Sequence, residues 1–396
     1  MTETPDKDTT MRSLWIAVSL TTVLSAQLNA QGAPAHAERD QLRAFLTAHA
    51  QPPDDYVLAK FATHDLVLIG EPHWVRQHVE FMQQMIPTLY AHGIYTLAIE
   101  FARRVDQPLI DSLLVGREYD EPLARRLMLQ SLVEWGYQEY VDLYRAAWQV
   151  NHTRPPGARP FRILALNGAP NWSIIKTDTE FDDWRLRLAA IHCETEKDWA
   201  QLLIDSVLSK HEKALVYTGT HHAFTKYGQP IVRNGTLLRL ETERFGQYLY
   251  RYAPDRIFMI VLHRPWPGLA DYEAPVVLPA NGAIDDALRG AREQRVGFDL
   301  VGTPFGALVS DNTVYKHGYV PFTLEKMADG YIVLGPISDF QPVHAIPDFI
   351  NASNLDYARS HVARPSSRNL SADEFNREIA SSLEVIIQWS RLRESR

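Results

Sequence analysis

The sequence predicts a three-layer α/β/α protein with a mostly parallel sheet and a decorated C-terminal half. Two observations predict this fold. Short apolar, β-branched runs bounded by Gly, Asn or charged residues are typical of strands that are buried on both faces. Stretches with helical spacing of apolar residues separate these runs, and alternation of strands and helices favours a parallel sheet covered on both sides. The predicted strands are Leu66–Ile69, Thr96–Phe101, Arg162–Leu166, Ala214–Thr218, Ile257–His263, Phe298–Val301 and Tyr331–Leu334.

The first element is predicted to be a leader that is removed. Met11-Arg12 precedes an apolar run from Leu14 to Ala26, which is the pattern of a secretory signal peptide. The run is shorter than the roughly 20 residues that a membrane-spanning helix needs. Gln27 stands where a lipoprotein would carry its lipidated cysteine. We therefore expect a secreted or periplasmic protein with no stable membrane anchor after cleavage.

The spacing of apolar residues along the chain predicts the helices. Apolar side chains between Trp74 and His92 recur at helical intervals, and Gly93 stands at the position of a C-terminal cap. Two or three further helices are expected in 108–150 and another pair in 182–211. We expect an irregular excursion in 264–279, which is rich in proline, and an amphipathic helix over 375–392.

These elements predict three segments. Residues 1–37 are the signal peptide and leader, 38–350 form a single α/β domain, and 351–396 form a polar helical extension. The length of 396 residues is ample for a buried core.

Composition excludes several classes of protein. The hydrophobic content of 45% and the charged content of 22% are those of a globular protein. A single cysteine, Cys193, cannot form an internal disulfide bond. The net charge of −8 gives no reason to expect a nucleic-acid partner, so we expect a small-molecule or peptide substrate. The oligomeric state is left open.

Polar residues follow four consecutive predicted strands. In a parallel sheet, ligands bind beyond the carboxyl ends of the strands, where loops and helix N-termini meet. The residues at these ends are Gly70-Glu71-Pro72-His73, Glu100, Asn167-Gly168-Ala169-Pro170 and Gly219-Thr220-His221-His222. We therefore predict that His73, Glu100 and His222 share one site.

Several common motifs are absent from the sequence. It contains no Gly-x-Ser-x-Gly elbow, no Gly-x-Gly-x-x-Gly or Walker loop, and no His-Glu-x-x-His or paired Cys-x-x-Cys motif. These absences disfavour a serine hydrolase of that type, the usual nucleotide sites and the common zinc sites. Chemistry based on His and Glu remains, with or without a metal.

The paired Gly-x-x-His elements with an intervening Glu resemble the superfamily of erythromycin esterase, the TIKI/TraB metalloproteases and the ChaN haem-binding proteins. The resemblance covers about residues 66–230 and is strongest to the ChaN-like branch, through the first element followed by His78 and Gln83 and through Gly228-Gln229-Pro230 after the second. It implies an α/β/α fold and either hydrolytic activity or haem binding. The Glu–His spacing in the first element is one residue shorter than in erythromycin esterases, which makes a macrolide esterase less supported.

The residues leave three functions open. In a hydrolase of ester or peptide bonds, the predicted catalytic residues are His73, Glu71, Glu100 and His222. With a divalent cation (Mn, Co or Zn), the ligands would be His73, Glu100 and His222; without one, His73 would act as a general base. The predicted substrate-binding residues are Trp74, His78, Asn167 and His221. The alternatives are a ChaN-like haem-binding protein for iron uptake, with no ligand nominated, and an inert relative.

Overall fold

The structure is a computed structural model that describes residues 36–191, 195–289 and 294–392. The predicted signal peptide from Leu14 to Ala26 and the lone Cys193 lie outside these residues. The strands are β1 (Leu66–Glu71), β2 (Thr96–Arg103), β3 (Arg162–Asn167), β4 (Ala214–Gly219), β5 (Gln229–Arg233), β6 (Thr236–Glu241), β7 (Ile257–Leu262), β8 (Trp266–Pro267), β9 (Val276–Val277), β10 (Arg295–Asp299) and β11 (Gly330–Leu334).

The α-helices account for the segments between the strands. They are α1 (His36–His49), α2 (Pro53–Lys60), α3 (Arg76–Ala91), α4 (Gln107–Val115), α5 (Glu121–Ser131), α6 (Gln138–Thr153), α7 (Asp178–Asp182), α8 (Trp184–Ile191), α9 (Glu196–Ser206), α10 (Thr220–Ala223), α11 (Phe245–Tyr252), α12 (Ala283–Leu288), α13 (Leu324–Met327), α14 (Leu355–His361), α15 (Ala372–Ser381) and α16 (Glu384–Ser390). Within the described residues, no helix is both long enough and apolar enough to span a bilayer.

The central sheet has the order β10-β11-β7-β1-β4-β2-β3. Every neighbouring pair is parallel except β10 and β11, which are antiparallel. The mostly parallel sheet is therefore confirmed, and each of its seven strands overlaps one of the predicted apolar runs.

Alternate side chains of each strand enter two separate cores. Val67 and Ile69 of β1 pack in the core under α3 and α6, whereas Leu66 and Leu68 pack in the core on the opposite face, which also contains Leu203 of α9. Because successive side chains of a strand point to opposite faces, two helical layers enclose the sheet. This is the predicted three-layer α/β/α arrangement.

The four strands with polar ends lie side by side as β1-β4-β2-β3. The connection from β1 to β2 passes over the position that β4 later fills. Because all four strands are parallel, their carboxyl ends lie at one edge of the sheet. The pairing of β2 with β3 shifts register between Ile99 and Arg103, which identifies an irregularity around Glu100.

Side-chain amides cover the outer edge of β3. Gln107 donates to the carbonyl of Ile163 at 2.8 Å and accepts from the N–H of Ala165 at 2.9 Å. Just before the strand, Asn151 makes the same pair of bonds to the backbone of Phe161, at 2.8 and 2.7 Å. The two amides take the place of a neighbouring strand.

The C-terminal segment differs from the prediction of one helix over 375–392. It forms two helices, α15 and α16, because the chain turns at Ser382 and Leu383. Phe375 and Ile379 of α15 pack in the core under α3, and Trp389 of α16 packs in a smaller cluster with Val75. The segment boundary at residue 350 stays a prediction.

Candidate functional site

The loop after β1 has an unusual backbone. His73 and Trp74 have φ angles of 68° and 62°, in the left-handed region that residues other than glycine seldom adopt. The N–H of Trp74 donates to the hydroxyl of Tyr140 at 3.0 Å. A strained backbone of this kind costs free energy and is found most often at functional sites, where it fixes a side chain in place.

Glu71, the last residue of β1, is almost fully buried at 1% exposure. Its Oε1 accepts from the hydroxyl of Tyr140 at 2.7 Å and faces Nδ1 of His73 at 2.8 Å, and its Oε2 accepts from the hydroxyl of Tyr217. Burial, followed by the charge of Glu71, raises the pKa of both tyrosines well above 10, so their hydroxyls stay protonated as donors. The carboxylate is thus held rigidly and orients the His73 ring.

The imidazole of His73 lies against the backbone of Gly219. A Cβ atom on Gly219 would stand 2.9 Å from both Cε1 and Nε2 of His73, so any larger residue at this position requires the ring to move. Burial lowers the pKa of His73, but the hydrogen bond and charge of Glu71 outweigh it and the net shift is upward. A proton on Nδ1 satisfies Glu71 and leaves Nε2 as the basic atom.

His222, in the short helix α10, lies between two carboxylates. Its Nε2 is 3.5 Å from Oε1 of Glu100, and its Nδ1 is 3.2 Å from Oε2 of Glu196 in α9. Oε2 of Glu100 also accepts from the N–H of Gly219 at 2.7 Å. Burial opposes protonation of His222, yet the charges of Glu196 and Glu100 raise its pKa to about 9.

Glu196 is stabilised as an anion. Arg244 approaches its Oε1 at 2.6 Å, and the N–H of Phe245 donates to its Oε2 at 2.7 Å. Burial would raise the pKa of Glu196, but His222, Arg244 and this N–H lower it to about 2. His222 is therefore a cation and Glu196 an anion at neutral pH.

A cavity of about 610 Å³ opens above these groups. This volume is typical of small-molecule sites. Among the lining residues are Glu71, His73, His221 and His222, together with Arg264 and the apolar side chains of Val276, Trp389 and Leu392.

The structure brings most of the predicted catalytic residues together. His73 and His222 line the same cavity, and Glu100 lies just beneath it, 3.4 Å from the position of a Gly219 Cβ atom. Of the predicted substrate-binding residues, only His221 lines the cavity. Its Nε2 lies 2.9 Å from the hydroxyl of Tyr315.

The other three predicted substrate-binding residues do not line this cavity. Trp74 packs on Trp135 with ring centres 5.5 Å apart. His78 is fully buried, and desolvation, with smaller contributions from His263 and Arg264, lowers its pKa to about 3. Asn167 accepts from the N–H of Gly168 at 2.9 Å.

The structure gives no support to the predicted divalent cation. Both ring nitrogens of His222 face carboxylates, and Nδ1 of His73 faces Glu71. Across the part of the chain that the structure describes, no group of three or more His, Cys, Asp or Glu side chains is placed to hold a metal ion.

Sequence reasoning missed four members of the site. Tyr217 was detectable, because it stands two residues before Gly219 in one strand and therefore faces the same side of the sheet. Arg264 follows the strand β7 and obeys the same strand-end rule. Tyr140 and Glu196 come from helices, and no motif in the sequence marks them.

The comparisons with known proteins support the fold. No protein-family model matches the chain, and no curated protein matches its sequence. The chain is similar to a crystal structure described as a succinoglycan biosynthesis protein, with 10% identity and a TM-score of 0.50, over 79% of this chain and 100% of that one.

Two further solved structures are also similar. A Bacillus cereus protein has 12% identity and a TM-score of 0.48, over 78% of this chain and 99% of that one. ChaN of Campylobacter jejuni, described with cofacially bound haem, has 14% identity and a TM-score of 0.34, over 56% of this chain and 89% of that one. At such identities the likeness concerns the fold alone, and the support for the fold comes from the structure with the TM-score of 0.50.

Proposed function

We propose that the protein is a hydrolase of ester or peptide bonds in which His73 activates water. The observation that supports this most is the pairing of Nδ1 of His73 with Glu71 at 2.8 Å, at the wall of the cavity that also contains His222. A carboxylate on one ring nitrogen leaves the other free to take a proton, as in His–carboxylate pairs that serve as general bases.

The two histidines have different roles in this mechanism. Nε2 of His73 accepts a proton from water as the water attacks the carbonyl carbon, and Glu71 stabilises the resulting imidazolium ion. When the tetrahedral intermediate collapses, the C–O or C–N bond breaks and His73 returns this proton to the leaving oxygen or nitrogen. His222, which is cationic below a pKa of about 9, stabilises the negative charge that develops on the carbonyl oxygen. Because His73 must be neutral and His222 charged, kcat/KM should rise as His73 loses its proton and fall above about pH 9.

Haem binding has weaker support from this cavity. Val276, Trp389 and Leu392 give it an apolar wall of the kind that haem requires. However, His73 and His222 are engaged by carboxylates, and His221 faces Tyr315. His221 and His222 are thus not placed as free axial ligands, which leaves, of the three, Nε2 of His73, the same atom that serves as the base in the hydrolase.

Replacing His73 by Ala tests the proposal. A general base contributes about 10²–10⁴-fold to the rate, so H73A should lose this much turnover on a panel of ester and peptide substrates. The matched control is H152A, because His152 is exposed at the C-terminal end of α6, whereas Tyr140 stands at the opposite end of this helix.

Thermal melts of the three proteins accompany the assay. Wild-type turnover that H73A keeps in full, with unchanged melting temperature, would show that His73 is structural. A visible absorption scan of the purified wild type decides the haem alternative, since a Soret band together with no turnover would replace the hydrolase proposal.

A further inference from the structure

Arg264 is a buried cation in the wall of the cavity. It follows β7 by two residues and is only 8% exposed. Its Nη2 donates to the hydroxyl of Tyr315 at 2.8 Å and its Nη1 to the carbonyl of Pro265 at 3.4 Å. Its Nε is buried and has no hydrogen-bond partner among the residues that the structure describes.

Within the described part of the chain, no carboxylate pairs with this guanidinium. Among the residues that the structure describes, no Asp or Glu oxygen lies within 4.0 Å of an Arg264 nitrogen, although Glu273 lines the same cavity. Arg244, nearby in the fold, pairs with Glu196 at 2.6 Å. Burying an unpaired charge is costly, and one that persists beside a cavity needs an explanation in terms of what the cavity holds.

Tyr315 fixes the orientation of Arg264. The tyrosine is fully buried, and its hydroxyl lies 2.8 Å from Nη2 of Arg264 and 2.9 Å from Nε2 of His221. Burial and the charge of Arg264 lower the pKa of His221 well below 6.5, so His221 is neutral. Because Arg264 can only donate to Tyr315, the tyrosine hydroxyl in turn donates a hydrogen bond to Nε2 of His221. The hydroxyl oxygen is then free to accept from Arg264, and the guanidinium is held in place before any ligand arrives.

The sheet brings Arg264 close to the reacting residues. Gly70 of β1 pairs with Val261 of β7, and His73 and Arg264 each lie three residues beyond that pair. Both side chains line the one cavity. A molecule bound in this cavity can therefore contact both Arg264 and His73.

We propose that the substrate carries a compact oxyanion, a carboxylate or a phosphate, which binds the Arg264 guanidinium while His73 acts on a neutral ester or amide bond of the same molecule. This inference rests on the proposed hydrolase function. Arginine suits both anions, because its planar fork of N–H groups matches their oxygens.

The test compares two esters that differ only in charge. The probes are the mono-4-nitrophenyl ester of glutaric acid, which carries a free carboxylate, and the same molecule with that carboxylate methylated. Wild type should favour the anionic ester in kcat/KM by about 10–100-fold, as expected for a hydrogen-bonded ion pair in a buried site. R264M should lose this preference, so that its kcat/KM values for the two esters become equal, and R264K should retain part of the preference.

A binding measurement separates failure of this inference from failure of the hydrolase proposal. Glutarate, acetate and inorganic phosphate are each added to wild type, R264M and H73A, and the melting temperature is followed. Stabilisation of wild type and H73A but not of R264M supports the anion site even if neither ester is hydrolysed. Whether the carboxylates or phosphate stabilise more strongly identifies the anion.

Other outcomes overturn the inference. Equal kcat/KM of wild type for the two esters, or an equal loss on both in folded R264M, would leave the hydrolase standing without the anion site. Absence of turnover together with no stabilisation by any of the three anions would remove both proposals. If R264M does not fold, competitive inhibition of wild type by glutarate decides, and its absence counts against the site.

Discussion

The ion pairs of His222 predict a loss of stability between neutral and alkaline pH. The pKa of His222 is about 9 in the folded protein against 6.5 for an unperturbed histidine. Since one pKa unit corresponds to about 1.36 kcal/mol, the difference of about 2.5 units is worth about 3 kcal/mol. His222 is 27% exposed, so solvent screening reduces this value only in part.

The sign of the change in unfolding free energy with pH follows from proton linkage. A group whose pKa is raised on folding stabilises the native state fully below its unfolded value, and this contribution disappears as the pH passes the folded value. The free energy of unfolding should therefore fall by up to about 3 kcal/mol between about pH 6.5 and pH 9. The same ion pair also lowers the pKa of Glu196. Because the two pKa shifts describe one interaction, their free energies are not added.

Urea unfolding at several pH values from about 6 to about 10 measures this effect. The perturbation is H222Q, which removes the titrating group, and H152Q is the matched control with an exposed histidine. The difference between wild type and H222Q should be largest at about pH 6 and shrink toward pH 10, whereas H152Q should follow wild type throughout. A difference that stays constant over the whole range would refute the ion-pair reasoning.

Two further substitutions test how His73 and Glu71 are held. Gly219→Ala would place a Cβ atom 2.9 Å from the His73 ring, and overpacking of this kind costs about 1–3 kcal/mol. We therefore expect lower stability in urea unfolding and a displaced imidazole with little turnover. A crystal structure of this variant with an unmoved His73 ring would contradict the expectation. Tyr217→Phe removes a hydroxyl donor from the buried carboxylate of Glu71 and should lower the free energy of unfolding by about 1.5–3 kcal/mol. Tyr140→Phe should cause at least as large a loss, because it also leaves the N–H of Trp74 without its partner. Equal stability of wild type and Tyr217→Phe would show that this hydroxyl is not a donor to the carboxylate.

Most of the sheet could be predicted because its strands are buried on both faces. Continuous apolar runs such as 66–69 and 214–218 have few alternatives to a central strand, and the strand-end rule then placed His73 and His222 together. The short hairpins β5-β6 and β8-β9 were missed. The second of these lies in the proline-rich segment 264–279, where the sequence favours an irregular loop.

The electrostatics of the site could not be predicted to the same degree. Whether His222 binds a metal or forms ion pairs depends on Glu196, which lies on a helix 26 residues earlier in the chain. Helical spacing gives the face on which such a side chain lies but not the partner helix or loop that it contacts. The role of Glu71 likewise depends on Tyr140, whose hydroxyl reaches the site from α6.

The amides at the edge of β3 have a consequence for self-association. An unpaired edge strand is a template on which another chain can add a strand, and such addition leads to aggregation. Gln107 already occupies the donor and acceptor of Ala165 and Ile163, so a second molecule would first have to displace its side chain. Gln107 is also the first residue of α4, so the helix holds this side chain in place. The side chain thereby protects the β3 edge of the sheet from pairing with a strand of another molecule.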